Sequence, residues 1–366
     1  MIKVLVVDDS ALVRKLFGKV LSAEPDLEVA FARNGLEALD QLKTFAPDVI
    51  TLDIHMPQMD GLACLDRIML ERPCPVVMVS SLTAEGAETT LEALRLGAVD
   101  FVSKPEGAVS LHMEVFAPHF VAKVRAAAGA KLKASLRLRE RIQHRMGSAA
   151  SRPRVSGTAT AGSAVRAVGS GVVIVGTSTG GPPALEALLT ALPANFPWPI
   201  VIAQHMPANF TGPLARRLDR ICAIRVAEVA AATVLEPGCA YIGRGDGDVV
   251  IARQGRALAA APATPEDYPW HPSADRLMRS ALALVPPQQL IGVLMTGMGN
   301  DGAEAMTRLH ALGGRTIAEA EETAVVWGMP GELAKAGGAD WILPVQKIAE
   351  KLQQLVPLDA ADPKNA

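Results

Sequence analysis

The chain has 366 residues, 49% hydrophobic and 20% charged, with a net charge of −2 at pH 7. That length accommodates two domains with full cores, and the charge balance argues against a polyanion as partner of the whole chain. No apolar run is long enough to span a membrane, and the amino terminus passes straight into a strand pattern without signal-peptide regions, so the expectation is a cytoplasmic protein with no direct membrane insertion. Cys64, Cys74, Cys222 and Cys239 make no CxxC pair and no metal-ligand spacing, which reads as reduced, mostly buried thiols; the seven histidines show no zinc-like clustering.

From Met1 to about Arg125, strand and helix patterns alternate. Strands are predicted at 3–7, 27–31, 49–53, 75–80 and 100–102, with helical periodicity between them, which implies five parallel strands. Polar residues gather at the strand ends: Asp8 and Asp9 after the first, Asp53 at the third, Ser80 after the fourth and Lys104 after the fifth. An acidic pair alone would read as a helix cap, a role open to Asp9 or Ser10. Three carboxylates converging with a hydroxyl and a lysine on one sheet edge instead form a hard-oxygen site suited to Mg²⁺, where an accepted phosphoryl group would be neutralised by metal and lysine.

These residues stand in Val6-Val7-Asp8-Asp9-Ser10, Leu52-Asp53-Ile54-His55-Met56-Pro57-Gln58-Met59-Asp60-Gly61, Met78-Val79-Ser80 and Phe101-Val102-Ser103-Lys104-Pro105, four separated motifs that agree in type and order with a two-component receiver domain. Residues 1–122 resemble that family, with a flavodoxin-like five-stranded parallel fold. The resemblance implies that Asp53 is the phosphoacceptor, that Asp8, Asp9 and Asp53 hold Mg²⁺, and that Ser80, Phe101 and Lys104 form the phosphorylation switch, with a histidine kinase as phosphodonor. His55 departs from the family, which has an acidic residue there.

Residues 123–170 are rich in Ala, Ser, Gly and Arg. Between 122 and 171 eleven basic residues face Glu140 alone, a local charge of +10. The stretch to about Arg145 is compatible with a basic helix, and Gly147 to Gly171 with a flexible linker. A solvated tether, docking to an acidic protein and nucleic-acid contact are the readings open to it. The absence of aromatic residues for base stacking sets nucleic acid last, and none is expected as a partner.

In the second half three strand-like runs end in chemically active loops. Residues 171–175 lead into Gly176-Thr177-Ser178-Thr179-Gly180-Gly181, residues 199–203 into Gln204-His205-Met206-Pro207, and residues 290–295 into Thr296-Gly297-Met298-Gly299-Asn300-Asp301-Gly302. In an open parallel sheet, ligand chemistry collects beyond the carboxyl ends of the strands, so these loops are expected to meet and to unite Ser178, His205 and Asp301. A serine hydroxyl is a weak nucleophile until an imidazole takes its proton, and a carboxylate fixes that imidazole's tautomer. The glycine-rich turn precedes a predicted helix at 182–191, whose amino end offers N–H groups to a developing oxyanion. The turn could also cradle a phosphate, although no lysine follows the glycines as a Walker loop requires and their spacing is not that of a dinucleotide fold. His271 lies in a polar turn that could border the cleft.

Receiver, tether and Ser/His/Asp domain in that order resemble the chemotaxis protein-glutamate methylesterase (CheB) family over nearly the whole chain. Its signatures are the three loops above, with Pro207-Ala208-Asn209-Phe210-Thr211, His271-Pro272-Ser273-Ala274-Asp275 and Trp327-Gly328-Met329-Pro330. The resemblance implies a doubly wound, mostly parallel α/β esterase domain at 171–358, followed by a tail at 359–366. By position, Ser178 is the nucleophile, His205 the general base and acid, and Asp301 the orienting carboxylate, with the backbone N–H groups of Met298 and Thr179 as oxyanion donors. The implied activity is phosphorylation-activated hydrolysis of glutamate γ-methyl esters on methyl-accepting chemoreceptors, with receptor glutamine deamidation as a further activity, no cofactor for the hydrolytic step, and a monomeric chain. Departures from the family pattern fall at Gly243-Arg244-Gly245-Asp246-Gly247-Asp248 and at Glu319-Ala320-Glu321. A phosphorylation-gated binding module without turnover is the competing class.

Overall fold

The structure, a computed structural model, describes residues 1–81, 83–104, 113–130, 171–266 and 268–356. Most of the expected linker, with the basic helix predicted to reach Arg145, lies outside these residues, as do Pro105 and the tail at 359–366.

The first five apolar runs form β1 (Ile2–Val7), β2 (Leu27–Ala32), β3 (Val49–Asp53), β4 (Val76–Ser80) and β5 (Asp100–Ser103), a parallel sheet in the order β2-β1-β3-β4-β5. Central β3 and β4 are buried at every position, which is why they read as unbroken apolar runs rather than alternating ones. Helices α1 (Ala11–Leu21), α2 (Gly35–Thr44), α3 (Gly61–Glu71) and α4 (Ala84–Leu96) begin at Ser10, Asn34, Asp60 and Thr83, whose side chains each accept a first-turn N–H. Ser10, not Asp9, is thus the cap of α1. The last helix, α5 (Met113–Ala128), runs past the boundary expected at residue 122, because Lys123 pairs back to Asp100 at 2.9 Å and Arg125 to Asp26 at 2.5 Å.

The second half builds a seven-stranded sheet in the order β15-β14-β13-β6-β7-β10-β8, parallel throughout. Its strands are β6 (Val172–Thr177), β7 (Ile200–Gln204), β8 (Arg225–Val229), β10 (Cys239–Gly243), β13 (Leu290–Leu294), β14 (Arg315–Glu319) and β15 (Trp341–Leu343). Helices α6 (Gly181–Leu189), α7 (Ala208–Ile221), α8 (Ala274–Leu282), α9 (Ala303–Ala311), α10 (Met329–Lys335) and α11 (Val345–Leu355) accompany these strands. Of these, only the runs that form β6, β7 and β13 are named from the sequence; β8, β10, β14 and β15 lie outside that reading, as does an antiparallel sheet of β11 (Asp248–Gln254), β12 (Ala257–Ala263) and β9 (Thr233–Val234). From central β6 the chain winds through β7 to one side and returns through β13 to the other, so the strand order reverses at β6 and a crevice opens beyond its carboxyl end.

The two halves share an apolar core. Leu91 and Leu94 of α4 and Leu214 and Leu218 of α7 belong to one buried cluster, and the Phe101 ring lies 4.3 Å from that of Phe210. Arg217 on α7 reaches both Glu92 at 3.6 Å and Glu186 at 3.3 Å. Cys64, Cys74 and Cys239 are buried, Cys222 is partly so, and all four are free thiols. No helix among the described residues is long and apolar enough to cross a membrane.

The loop after β10 rests on the loop after β7. A methyl group added at Gly245 would overlap the Met206 carbonyl oxygen and lie 2.8 Å from the Ala208 nitrogen, both main-chain atoms that cannot rotate aside. Gly245→Ala should therefore lower Tm by roughly 3–8 °C in scanning calorimetry, the range that corresponds to an overpacking cost of about 1–3 kcal/mol.

Candidate active site

Ser178 sits one residue beyond β6, on a turn whose main chain is held from several sides. Its N–H donates to Thr296 O at 3.0 Å, and its carbonyl accepts from Gly181 N at 2.8 Å and Gln204 Nε2 at 3.0 Å. Two of the N–H groups that a phosphate cradle would present, those of Ser178 and Gly181, are thus already engaged within the protein. Gly180 has φ of +78°, and a side chain there would strike Val325. Helix α6 follows, with prolines in its first turn, where no N–H donor is lost.

His205 follows β7, and its backbone N–H continues the β6–β7 ladder to Thr177 O at 3.0 Å. Its Nε2 lies 2.8 Å from Asp301 Oδ2, while its Nδ1 is buried without a hydrogen-bond partner. The carboxylate accepts from Nε2–H, so in the neutral ring Nδ1 carries the lone pair and is the nitrogen able to take a proton. With Nδ1 unpaired, the hydrogen bond from Ser178 Oγ to His205 that a complete triad makes is not formed here, and such bonds are often long before substrate binds.

Asp301 is buried and accepts three further bonds at the amino end of α8: from Ser273 Oγ at 2.9 Å, Ala274 N at 2.6 Å and Asp275 N at 3.0 Å. Burial by itself would raise the pKa of this carboxyl. The bond to His205 and the backbone N–H groups outweigh burial and hold it below the usual range, and the helix amino end favours the same charge. Asp301 therefore stays ionised and fixed beside the imidazole.

The loop from β13 to Asp301 is pressed against the serine. Gly297 lies so close to Ser178 that a Cβ would stand 2.8 Å from the serine Cβ. Among the described residues, no acceptor engages the backbone N–H of Met298 or of Thr179, so both donors are available near the nucleophile. Thr296 ties the region together: its carbonyl takes Ser178 N–H, its hydroxyl bonds to Thr179 O at 2.9 Å, and its N–H donates to the buried Glu319 carboxylate at 2.9 Å. The Glu319 departure therefore lies directly under the Asp301 loop. In the other departing segment, Arg244 pairs with Asp246 at 2.9 Å on the surface.

Further residues at the site have no role assigned from the sequence, some inside the quoted motifs and some outside them. Ser273 and Thr296 hold the acidic and nucleophilic loops. Trp270 lays its ring nearly parallel to that of His205, 6.0 Å between centroids, and packs against Gly299. His271 Nδ1 lies 3.0 Å from Asp248, whose carboxylate also binds Ser273 N and Arg276 and so anchors the Trp270–Ser273 loop. Asp100 of β5 contributes from the other half of the chain. Its Oδ2 accepts from the hydroxyl of Thr179, the residue after Ser178, while its Oδ1 pairs with Lys123.

At the carboxyl edge of the first sheet, Asp8 and Asp53 are buried and Asp9 is exposed, with ligand oxygens all within 4.8 Å of one another. Lys104 Nζ lies 2.7 Å from Asp53 Oδ2 and 3.1 Å from Asp8 Oδ2. Burial pushes the Asp53 carboxyl above its usual pKa, Lys104 opposes the rise, and the Asp8 charge adds to it. Burial works against the Lys104 ammonium, but the two carboxylates outweigh it and raise its pKa. Three oxygen donors under charge repulsion fit a hard divalent cation. Ser80 Oγ points elsewhere, within reach of Thr90 Oγ1 at 2.8 Å and Gly86 O at 3.2 Å.

Comparison with known proteins agrees with both halves. Residues 4–116 match the response regulator receiver domain and residues 173–352 the CheB methylesterase family. The chain is 55% identical over 366 residues, 99% of this chain and 100% of its relative, to protein-glutamate methylesterase/protein-glutamine glutaminase 2 of Rhodopseudomonas palustris strain BisB18. It is 52% identical to protein-glutamate methylesterase/protein-glutamine glutaminase 3 of Rhodospirillum rubrum, over 96% of this chain and 95% of that one. Among solved structures, the Thermotoga maritima CheB methylesterase catalytic domain aligns with a TM-score of 0.50 at 38% identity, covering 52% of this chain and 100% of its own.

The acidic cluster generates a stability prediction. Because the folded-state pKa of Asp53 is raised, its contribution to stability is fully present only when it is protonated and is lost as pH rises through that value. At pH 7 with metal chelated, Asp53→Asn should raise Tm by about 3–6 °C, and the difference should shrink as the solution is acidified. Added Mg²⁺ should stabilise the parent more than the variant, read by calorimetry in both buffers.

Proposed function

The chain belongs to the CheB methylesterase family, and on that premise we propose that it is a phosphorylation-activated protein-glutamate methylesterase that removes methyl groups from glutamate side chains of chemoreceptors. The observation that carries this reading is the His205–Asp301 pair at 2.8 Å, with the second ring nitrogen unpaired and the His205 backbone bonded to Thr177, the residue before Ser178. Ser178 Oγ attacks the ester carbonyl while His205 Nδ1 takes its proton, and Asp301 holds the resulting imidazolium. The oxyanion is received by the N–H groups of Thr179 and Met298. His205 returns the proton to the departing methanol, and a water molecule repeats the sequence on the acyl-enzyme to release glutamate. The same acyl-enzyme forms from a glutamine side chain with ammonia as leaving group, which accounts for a glutaminase activity. The hydrolytic step draws on no group beyond these side chains and backbone donors.

Asp53 is the phosphoacceptor in this reading, with a histidine kinase as phosphodonor and with Asp8, Asp9 and Asp53 as the Mg²⁺ ligands. Bound there, Mg²⁺ supplies positive charge to the incoming phosphoryl oxygens. Lys104 releases Asp8 to pair with the phosphoryl group, and Ser80 turns from Gly86 toward it. Both movements pull on β5, whose Phe101 packs on Phe210 and whose Asp100 holds Thr179. Phosphorylation thereby favours an arrangement in which the receiver leaves the cleft.

Methanol release from methylated receptor membranes tests the reaction. Ser178→Ala or His205→Ala should each lower it by about 10⁴- to 10⁶-fold with an unchanged melting profile, because the triad acts as one unit. Near-normal release by a folded Ser178→Ala chain would remove Ser178 from the mechanism and leave the binding-module class standing.

The switch has its own test. A small-molecule phosphodonor with Mg²⁺ should raise the rate of the full chain, and Asp53→Asn should abolish the rise while keeping the basal rate. Asp100→Asn, which takes the charged acceptor away from Thr179, should raise the basal rate without a donor. A response that survives Asp53→Asn or chelation of Mg²⁺ excludes this switch.

A further inference from the structure

Gln204, the last residue of β7, is 1% exposed, yet its amide joins neither the apolar core nor solvent. Its Nε2 lies 3.0 Å from the carbonyl oxygen of Ser178 and 3.1 Å from that of His205. Both neighbours are acceptors only, so the amide must present its nitrogen to them, and each of its two N–H groups has one carbonyl to serve. One side chain thus ties the peptide of the nucleophile to the peptide of the base. We infer, resting on the hydrolytic reading above, that Gln204 is a positioning residue that sets the approach of His205 Nδ1 to Ser178 Oγ.

The arrangement is kept at a cost. Gln204 Oε1 is buried with no hydrogen-bond partner, so the folded protein bears the cost of a carbonyl taken from water without a replacement donor. Such a group persists where its geometry serves something other than stability. Its neighbour is shaped to it: a Cβ on Gly181 would overlap Gln204 Oε1 and stand 2.7 Å from Thr177 Oγ1, so glycine at the first residue of α6 makes room for this amide. The glycine of the serine motif and the glutamine of the histidine motif are therefore one device.

The ladder explains the need. The last main-chain bond between the two strands is His205 N–H to Thr177 O, and beyond it the serine and histidine loops diverge toward α6 and α7. The Gln204 amide bridges this gap through the two main-chain carbonyls, leaving Ser178 Oγ and His205 Nδ1 out of the bridge. Displacement of either group by about 1 Å is enough to lower the rate on the order of 10²-fold.

Two variants of the full chain test this. Gln204→Met keeps the volume and removes both donors. It should lower kcat for methanol release by about 10- to 100-fold, with KM and Tm nearly unchanged, and slow the labelling of Ser178 by a fluorophosphonate in proportion. Gln204→Glu keeps the shape, removes the donors and places a carboxyl group beneath the base loop. It should lower kcat as well and move the acid limb of the rate profile to higher pH, because a nearby negative charge favours imidazolium. A Gln204→Met chain whose kcat and labelling rate stay within about twofold of the parent's, or a Gln204→Glu chain whose pH profile superimposes on it, would overturn the positioning role. A parent chain that the probe does not label at Ser178 would overturn the hydrolytic reading and this inference together, whereas a labelled parent with indifferent variants overturns this inference alone.

Discussion

The position of β6 between β7 and β13 is the constraint on which the site depends. A parallel strand needs a crossover to reach its neighbour, and crossovers leaving β6 in one direction and returning on the other side place two loops from distant sequence against the one after β6. Ser178, His205 and Asp301 are 27 and 96 residues apart in sequence, yet each lies just beyond a strand in this central trio. Hydrogen bonds then refine what topology brings together. Thr296 fixes the serine turn from the β13 side, and Gln204 fixes it from the β7 side.

The two halves communicate over a short distance. Strand β5 has four residues, Asp100 to Ser103, a length of about 13 Å at the usual strand rise. At its carboxyl end Lys104 touches Asp53, and at its amino end Asp100 holds the hydroxyl of Thr179 beside the nucleophile. Between them Phe101 sits against Phe210, an aromatic pair worth about 0.5–1.5 kcal/mol beyond its buried area. A change at the acidic cluster need travel only along this strand to reach the serine turn. Contacts of that size are small enough for the proposed phosphorylation of Asp53 to trade them for others.

Two buried aspartates show how environment divides one residue type into opposite roles. Asp53 is desolvated next to another carboxylate and has its pKa pushed up, which suits a group whose charge is relieved by a cation. Asp301 is as deeply buried, but three donors at a helix amino end and an imidazole hold its pKa down. One is poised to change and the other to remain fixed.

The amino-acid sequence by itself determined the strands that matter, within a residue or two, because periods of 2 and 3.6 and continuous apolar runs are local consequences of burial. It also pointed to Ser178, His205, Asp301 and the Asp8–Asp9–Asp53 cluster, since these fall in loops directly after such runs. The extent of α5, the antiparallel sheet of β9, β11 and β12, and the choice of Ser10 over Asp9 as a cap were not legible, because each rests on pairings with residues far away or on one side-chain rotation. Only the tertiary structure decided that His205 gives Nε2 to Asp301 and leaves Nδ1 unpaired, that Gln204 fills the space left by Gly181, and that Asp100 reaches Thr179. Ring orientation, amide placement and a contact between halves are set by three-dimensional packing, which no short window of sequence contains.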